Sequence, residues 1–197
     1  MRFALVAAVA AAGTFASGCG SPEGVTATPV PSASVQSSVR PTLAAEDLQP
    51  PEQNNAPKYE DVVYDPCTFI DDSTVRSAGF DPETRKRMDR TAEWTNLGCT
   101  YQSDTRRLLL LSGNVRFDDQ KLRYAETSEP AGPVNGRDAF IYREPSDPPT
   151  CFLVLRTRVG AVFVASTLNA ENAANGQPCD GIVELAQIIE PTIGAEN

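Results

Sequence analysis

Read for its alternation of apolar and polar positions, the chain changes character near residue 59. Beyond it, apolar runs at strand or helix period are separated by turn residues; between residues 20 and 58 no such run recurs. The clearest strand signals are Phe152 to Thr157 (FLVLRT) and Ala161 to Leu168 (AVFVASTL). Arg158-Val159-Gly160 between them suits a tight hairpin turn. Cys99 to Ser103 and Leu108 to Val115 form a second pair around Asp104 to Arg107, and Ala139 to Tyr142 is a further strand. Four successive leucines, Leu108 to Leu111, are apolar on both faces and place their strand centrally in a sheet.

Helix signals alternate with these strands. Asp65-Pro66-Cys67 reads as a turn into a helix, Asp71-Asp72-Ser73 can cap its first turns, and Gly79 is a natural stop. Phe117 to Ala125 reads as a helix. Pro178-Cys179-Asp180 opens a final one, whose Ile182, Leu185, Ala186 and Ile189 share one face. Asp81 to Arg90, polar and basic, reads as loop or a short helix. Gly132 to Gly136 is a turn, Pro145 to Pro149 a rigid loop, and Asn169 to Gln177 a polar loop. The order α-β-β-α-β-β-β-α predicts an α+β domain: an antiparallel sheet of about five strands with helices on one face.

The N-terminus carries a different message. Met1 and Arg2 make a short positive start, and Phe3 to Gly13 (FALVAAVAAAG) is apolar but too short to span a bilayer. Ala16-Ser17-Gly18 supplies the small residues a signal peptidase requires, and Cys19 follows. This resembles the bacterial lipobox, with Ala16 where Leu is most frequent. It implies a signal peptide over 1–18 and lipidation of Cys19. The two or three acyl chains this implies, palmitate among them, would anchor the protein to the cell membrane on its extracytoplasmic face. Residues 20–58 hold seven of the 16 prolines and no aromatic residue, so the lipidated segment 19–58 reads as a disordered tether. Its reach as a flexible coil is roughly 35 Å. The disulfide-stapled domain is then 59–197.

Five cysteines, at 19, 67, 99, 151 and 179, fit that picture. Lipidation of Cys19 leaves four, which outside the reducing cytosol can form two disulfides. Zinc is the rival use, but no C-x-x-C pair is present. Of three possible connectivities, local topology favours Cys67–Cys99 and Cys151–Cys179. Cys151 opens one hairpin arm, the other arm ends beside it near Leu168, and a ten-residue loop returns Cys179 to that end; Cys67 and Cys99 repeat the arrangement.

Composition narrows the chemistry. The formal net charge is −9, which opposes binding to phosphate backbones and makes nucleic acid an unsuitable partner. There is no histidine, which excludes Ser-His-Asp and Cys-His nucleophile systems. No G-x-S-x-G elbow, P-loop, dinucleotide fingerprint or calcium loop occurs, and no cofactor is implied. Asp71-Asp72, Asp118-Asp119 and Glu144 with Asp147 are the acidic spots; paired carboxylates can hydrolyse glycans, but Asp pairs before helices read first as caps. Arg85-Lys86-Arg87-Met88-Asp89-Arg90 is the one concentrated basic run, and it reads as a solvated loop. Trp94, Tyr101, Tyr124 and Tyr142 are candidate ligand-binding residues, with membership of the core as the plainer reading.

From Tyr59 onward these features resemble an actinobacterial lipoprotein family catalogued as domain of unknown function 3558. The likeness rests on Asp65-Pro66-Cys67 before an apolar pair, the helix ending in Gly79, Cys99-Thr100-Tyr101 opening a strand, Cys151 opening a strand pair, and Cys179 opening the last helix. Tyr101 stands where Trp is expected, and Phe69-Ile70 where Leu-Leu is usual. The resemblance implies location and fold, with a layout similar to the Mog1/PsbP-like group, and no established activity. The expectation for function is a non-catalytic binding or accessory domain for an envelope component or a membrane protein. A glycan hydrolase using two carboxylates and a structural spacer are the alternatives.

Overall fold

The computed structural model describes residues 45–174 and 176–197. The expected signal peptide, Cys19 and the tether as far as residue 44 lie outside the described residues. Eight strands pair antiparallel within the described residues: β1 (Asp81–Arg87), β2 (Arg90–Thr91), β3 (Thr95–Gln102), β4 (Arg106–Gly113), β5 (Ser128–Pro130), β6 (Ala139–Tyr142), β7 (Thr150–Arg156) and β8 (Ala161–Leu168). They run in the order β1-β3-β4-β8-β7-β6-β5, with β2 also on β3. The helices are α1 (Pro66–Phe69), α2 (Asp72–Ser77), α3 (Phe117–Arg123), α4 (Ala170–Ala173) and α5 (Ile182–Ile193). The class is α+β, but the sheet has eight strands rather than about five. The additions are β1, β2 and β5, which lie at or near its margins.

β1 corrects the expectation of a loop or short helix over Asp81 to Arg90. Apolarity does not mark it, because its inward positions are arginines. Arg85 donates to the carbonyls of Cys67 and Ile70 and to the Tyr101 hydroxyl, and pairs with Asp72. Arg87 bonds the Leu48 carbonyl, Asp65 and Asp89. The basic run is therefore no solvated loop. Two of its cations neutralise buried acceptors, which would be costly to leave unmet. The folded chain also begins before Tyr59. Gln53 exchanges two hydrogen bonds with the Val62 backbone, and Asn55 accepts from Thr95 Oγ1.

Period-2 alternation sorts the strands onto two faces. Cys99, Tyr101, Leu108, Leu110, Leu153, Leu155, Val162 and Val164 point to one face and join a buried cluster with Ile70, Val75, Ile182, Ala186 and Ile189 from α1, α2 and α5. Each such aliphatic side chain contributes about 1.5–3 kcal/mol by burial. The opposite face collects Phe140, Tyr142, Val154, Ala161 and Phe163 with Phe117 of α3. Helices therefore occupy both faces, not one, although α3 is short and covers only part of its side.

Both disulfides tie the covered face. Cys67 is bonded to Cys99 and Cys151 to Cys179, each with Cα atoms 5.0 Å apart. These are the pairs the local topology favours. α5 starts at Ile182, after a turn through Cys179, and carries Pro191 near its end. Proline cannot donate to the carbonyl four residues back. Asn135 Nδ2 takes that acceptor, the Gln187 carbonyl, at 2.9 Å.

Candidate functional site

The four candidate aromatic residues separate. Tyr101 is fully buried on the covered face, where its hydroxyl donates to the Pro66 carbonyl and accepts from Arg85. Burial pushes its phenol up to about 12 against the opposing pull of Arg85. Trp94 lies just before β3 with the Arg90 guanidinium 5.3 Å from its ring. Neither meets the other two. Tyr124 and Tyr142 do come together, on the opposite face. Their rings stack at 3.8 Å and 13°, and Phe152 extends the stack from Tyr142 at 4.6 Å and 8°. Phe152 is the member sequence reasoning missed. Its signal was its position in β7, directly across from Tyr142 in β6.

Why this stack forms follows from the register. Tyr142 pairs with Phe152, Phe152 with Ala165, and Ala165 with Leu109, so one row crosses β6, β7, β8 and β4. The next row is Phe140, Val154, Phe163, Leu111 and Gly98. Tyr124, at the C-terminal end of α3, closes over the β6 side. Burial first, and then the hydrogen bond with Tyr124, hold the Tyr142 phenol well above the ordinary tyrosine value. Past α3 the roof stops. Leu109, Leu111 and Phe152 remain half-buried, and Met88, beside Gly98, is 55 % exposed. A Cβ at Gly98 would strike the Met88 carbonyl and a Leu111 methyl, so only glycine lets these segments close there. The strand positions of β3, β4, β6, β7 and β8 on this face carry no Asp or Glu.

At the end of the same sheet, a polar cavity of about 520 Å³ opens between residues 58–60, the start of α3 and the β7–β8 turn. Lys58, Tyr59, Glu60, Arg116, Asp119 and Arg158 are in its wall. Lys58 pairs with Glu93 and Arg158 with Glu60, both at 2.9 Å. Arg116 makes no ion pair within 4 Å among the described residues. A larger open hollow of about 570 Å³ lies beyond the turn, where Arg137 bonds Glu190 and the Arg156, Gly194 and Asn197 carbonyls.

Of the acidic spots, Asp71, Asp72 and Asp118 are engaged through their carboxylates. Asp71 caps α2 by accepting from Thr74 N and the Ser73 hydroxyl, and these bonds hold its carboxyl below the ordinary value. Asp72 pairs with Arg85, and Asp118 is held low by its bonds from Arg156. A general acid at neutral pH needs the opposite shift. Glu144 and Asp147 bond through their backbones within the β6–β7 turn. Among the described residues no group of three or more His, Cys, Asp or Glu could hold a metal ion, and no helix is long and apolar enough to cross a membrane.

The family model described as Protein of unknown function (DUF3558) matches residues 14–192. The chain belongs to this family. No curated protein and no solved structure matches it. The open half-face and the polar cavity of this DUF3558 domain are therefore read from their own chemistry.

Proposed function

We propose that this DUF3558 protein is a non-catalytic binding module, held outside the cytoplasm by lipid on Cys19, whose ligand is an envelope lipid. The acyl portion lies along the open half of the sheet, over Leu109, Leu111 and Phe152. The observation that carries this reading is that Leu109, Leu111 and Phe152 of the apolar double row stay half-buried where α3 does not cover them. The half-buried leucines of β4 and Phe152 of β7 flank the buried Phe163 and Ala165 of β8, and exposed apolar patches on folded domains mark interaction sites. The missing carboxylates on those strands favour an apolar or anionic occupant over a cationic one. The lipobox supports the location, and the lowered carboxyls of Asp71 and Asp118 and the pairing of Asp72 speak against acid catalysis by those three residues.

A direct test uses the full chain with Cys19→Ala, so that its own acyl chains do not compete. It should bind a fluorescent fatty acid, and Leu109→Asp or Phe152→Asp should weaken that binding at least tenfold under conditions where circular dichroism shows each variant folded. Equal binding by both variants and the parent would overturn the reading. For the anchor itself, Cys19→Ala should abolish labelling by a fatty-acid analogue and release the protein from membranes; retention with unchanged labelling would refute it.

A further inference from the structure

We infer that the head group of this ligand bears one anionic group and several hydroxyls, and that it sits in the cavity walled by Tyr59, Arg116 and Arg158. The inference rests on the reading of the open face as an acyl-chain site.

Continuity comes first. Along β4, Leu111 lies three residues from Asn114, which lines the cavity, a distance of about 10 Å at strand rise. Arg116 in the cavity wall directly precedes Phe117, which packs with Phe163 on the apolar face. Arg116 and Phe117 also line a small hollow of about 80 Å³ with Asp118, Arg156, Arg158 and Gly160. An amphiphile whose chain crosses Leu109 and Leu111 toward this end therefore delivers its polar end to the cavity.

Charge decides what that end can be. The wall carries three cations, Lys58, Arg116 and Arg158, against two carboxylates, Glu60 and Asp119, in a chain whose net charge is −9. Arg116 lacks an ion pair among the described residues, and a guanidinium offers the fork that phosphate and carboxylate groups match. The Lys58–Glu93 and Arg158–Glu60 pairs are more than half exposed on both partners. Such surface pairs contribute about 0–1 kcal/mol, so either cation can turn to a ligand anion at small cost. Glu60 and Asp119 would repel an anion that brought nothing else. They become useful if the head also carries hydroxyls, which donate to carboxylates. The Tyr59 ring, with the Lys58 ammonium 4.8 Å from its centre, gives the apolar carbons of a polyol a wall to lie against. A cavity of about 520 Å³ has room for such a head group.

The test measures binding of dioctanoyl phosphatidylglycerol, dioctanoyl phosphatidylcholine and free glycerol 3-phosphate to the full chain with Cys19→Ala. Phosphatidylglycerol should bind about tenfold tighter than phosphatidylcholine, the increment of one charge-assisted contact. Lys58→Gln with Arg116→Gln should erase that difference, and Asp119→Asn should retain it. Amide resonances of Tyr59, Asn114 and Val159 should move with phosphatidylglycerol. Equal affinity for the two lipids, or a double variant that still prefers phosphatidylglycerol, overturns the head-group assignment. So does glycerol 3-phosphate binding as tightly as the lipid, which would make the cavity a site for a free polyol phosphate. If Leu109→Asp abolishes lipid binding while the double variant changes nothing, the head-group inference alone fails. If Leu109→Asp changes nothing for either lipid, the acyl-chain reading fails with it. Both substituted cations are at the surface, and an unchanged urea midpoint confirms that the fold is retained.

Discussion

The two faces of this sheet are built from the same strands yet are finished differently. Leu110 points into the covered face and is fully buried; Leu109, its chain neighbour, points to the other face and is half-buried. One face has three helices, two disulfides and buried arginines that bond the Cys67, Ile70 and Leu48 carbonyls. The other has a single short helix, a three-ring stack and an apolar margin left to solvent. Stability resides mainly in the first face, which leaves the second free to be shaped by what it contacts. That division can be attacked one residue at a time.

The largest effect is expected where the covered face holds charge. Arg87 and Asp65 have side chains only 12 % and 4 % exposed. Arg87→Ala would strand the Asp65 carboxylate and free the Leu48 carbonyl, at a cost of about 4 kcal/mol, since breaking a buried pair leaves an uncompensated charge. Urea unfolding measures this directly. A loss under 1 kcal/mol would mean that water reaches Asp65 and that the margin by β1 is looser than its geometry.

The neighbouring leucines give the sharpest contrast. Leu110→Ala should cost about 3 kcal/mol, within the range for a leucine removed from a packed core. Leu109→Ala should cost about 1 kcal/mol, because part of its surface is already wet. If lipid occupies the open face, adding the fatty-acid probe should stabilise the parent and the Leu110→Ala variant alike, by mass action. It should stabilise Leu109→Ala less. Equal destabilisation by the two substitutions would erase the distinction between the faces.

How far this was legible beforehand depended on what filled the inward positions. Ala161 to Leu168 was readable residue for residue, because both of its faces are apolar and a hairpin turn precedes it. The leucine run told of a central strand for the same reason. Asp81 to Arg87 was not readable as a strand, because Arg85 and Arg87 take positions where apolar side chains would have shown the period. Their partners, the carbonyls of α1 and Leu48, are tertiary and leave no local trace. Residues 45–58 have the composition of a linker, yet Gln53 ties its amide to the Val62 backbone and Asn55 its amide to the Thr95 and Asp61 side chains. Among the site residues, Tyr124 and Tyr142 were singled out for being aromatic, but their meeting depends on α3 folding over β6. Trp94 and Tyr101 were equal candidates in sequence and diverged because alternation sent them elsewhere. The polar cavity joins residues 58–60, 114–119 and 158–159, three segments whose proximity only the folded sheet creates.

The smallest expected effects concern acid. Asp71 on the covered side and Asp118 on α3 both have carboxyls held below the ordinary aspartate value of 3.8. A carboxyl that is more acidic in the fold than in the unfolded chain adds stability above its unfolded value. That contribution is lost as pH falls through the folded value. Both contributions should therefore be complete at neutral pH and disappear below about pH 4. Asp71→Ala should cost about 1 kcal/mol at pH 7 through the lost cap. Asp71→Asn keeps the cap, so it should be nearly neutral at pH 7 and should flatten the fall in urea midpoint below pH 4. Asp118 is different, since the Arg156 guanidinium that holds it, 4.2 Å from the centre of the Phe117 ring, is itself partly exposed. Asp118→Asn should flatten the same acid limb more weakly, and 0.5 M salt should remove the difference from the parent, as screening of an exposed pair requires. An acid limb that responds to Asp118→Asn more than to Asp71→Asn, and does so in high salt, would show that α3 is fastened to the sheet by charge as firmly as the covered face is by packing.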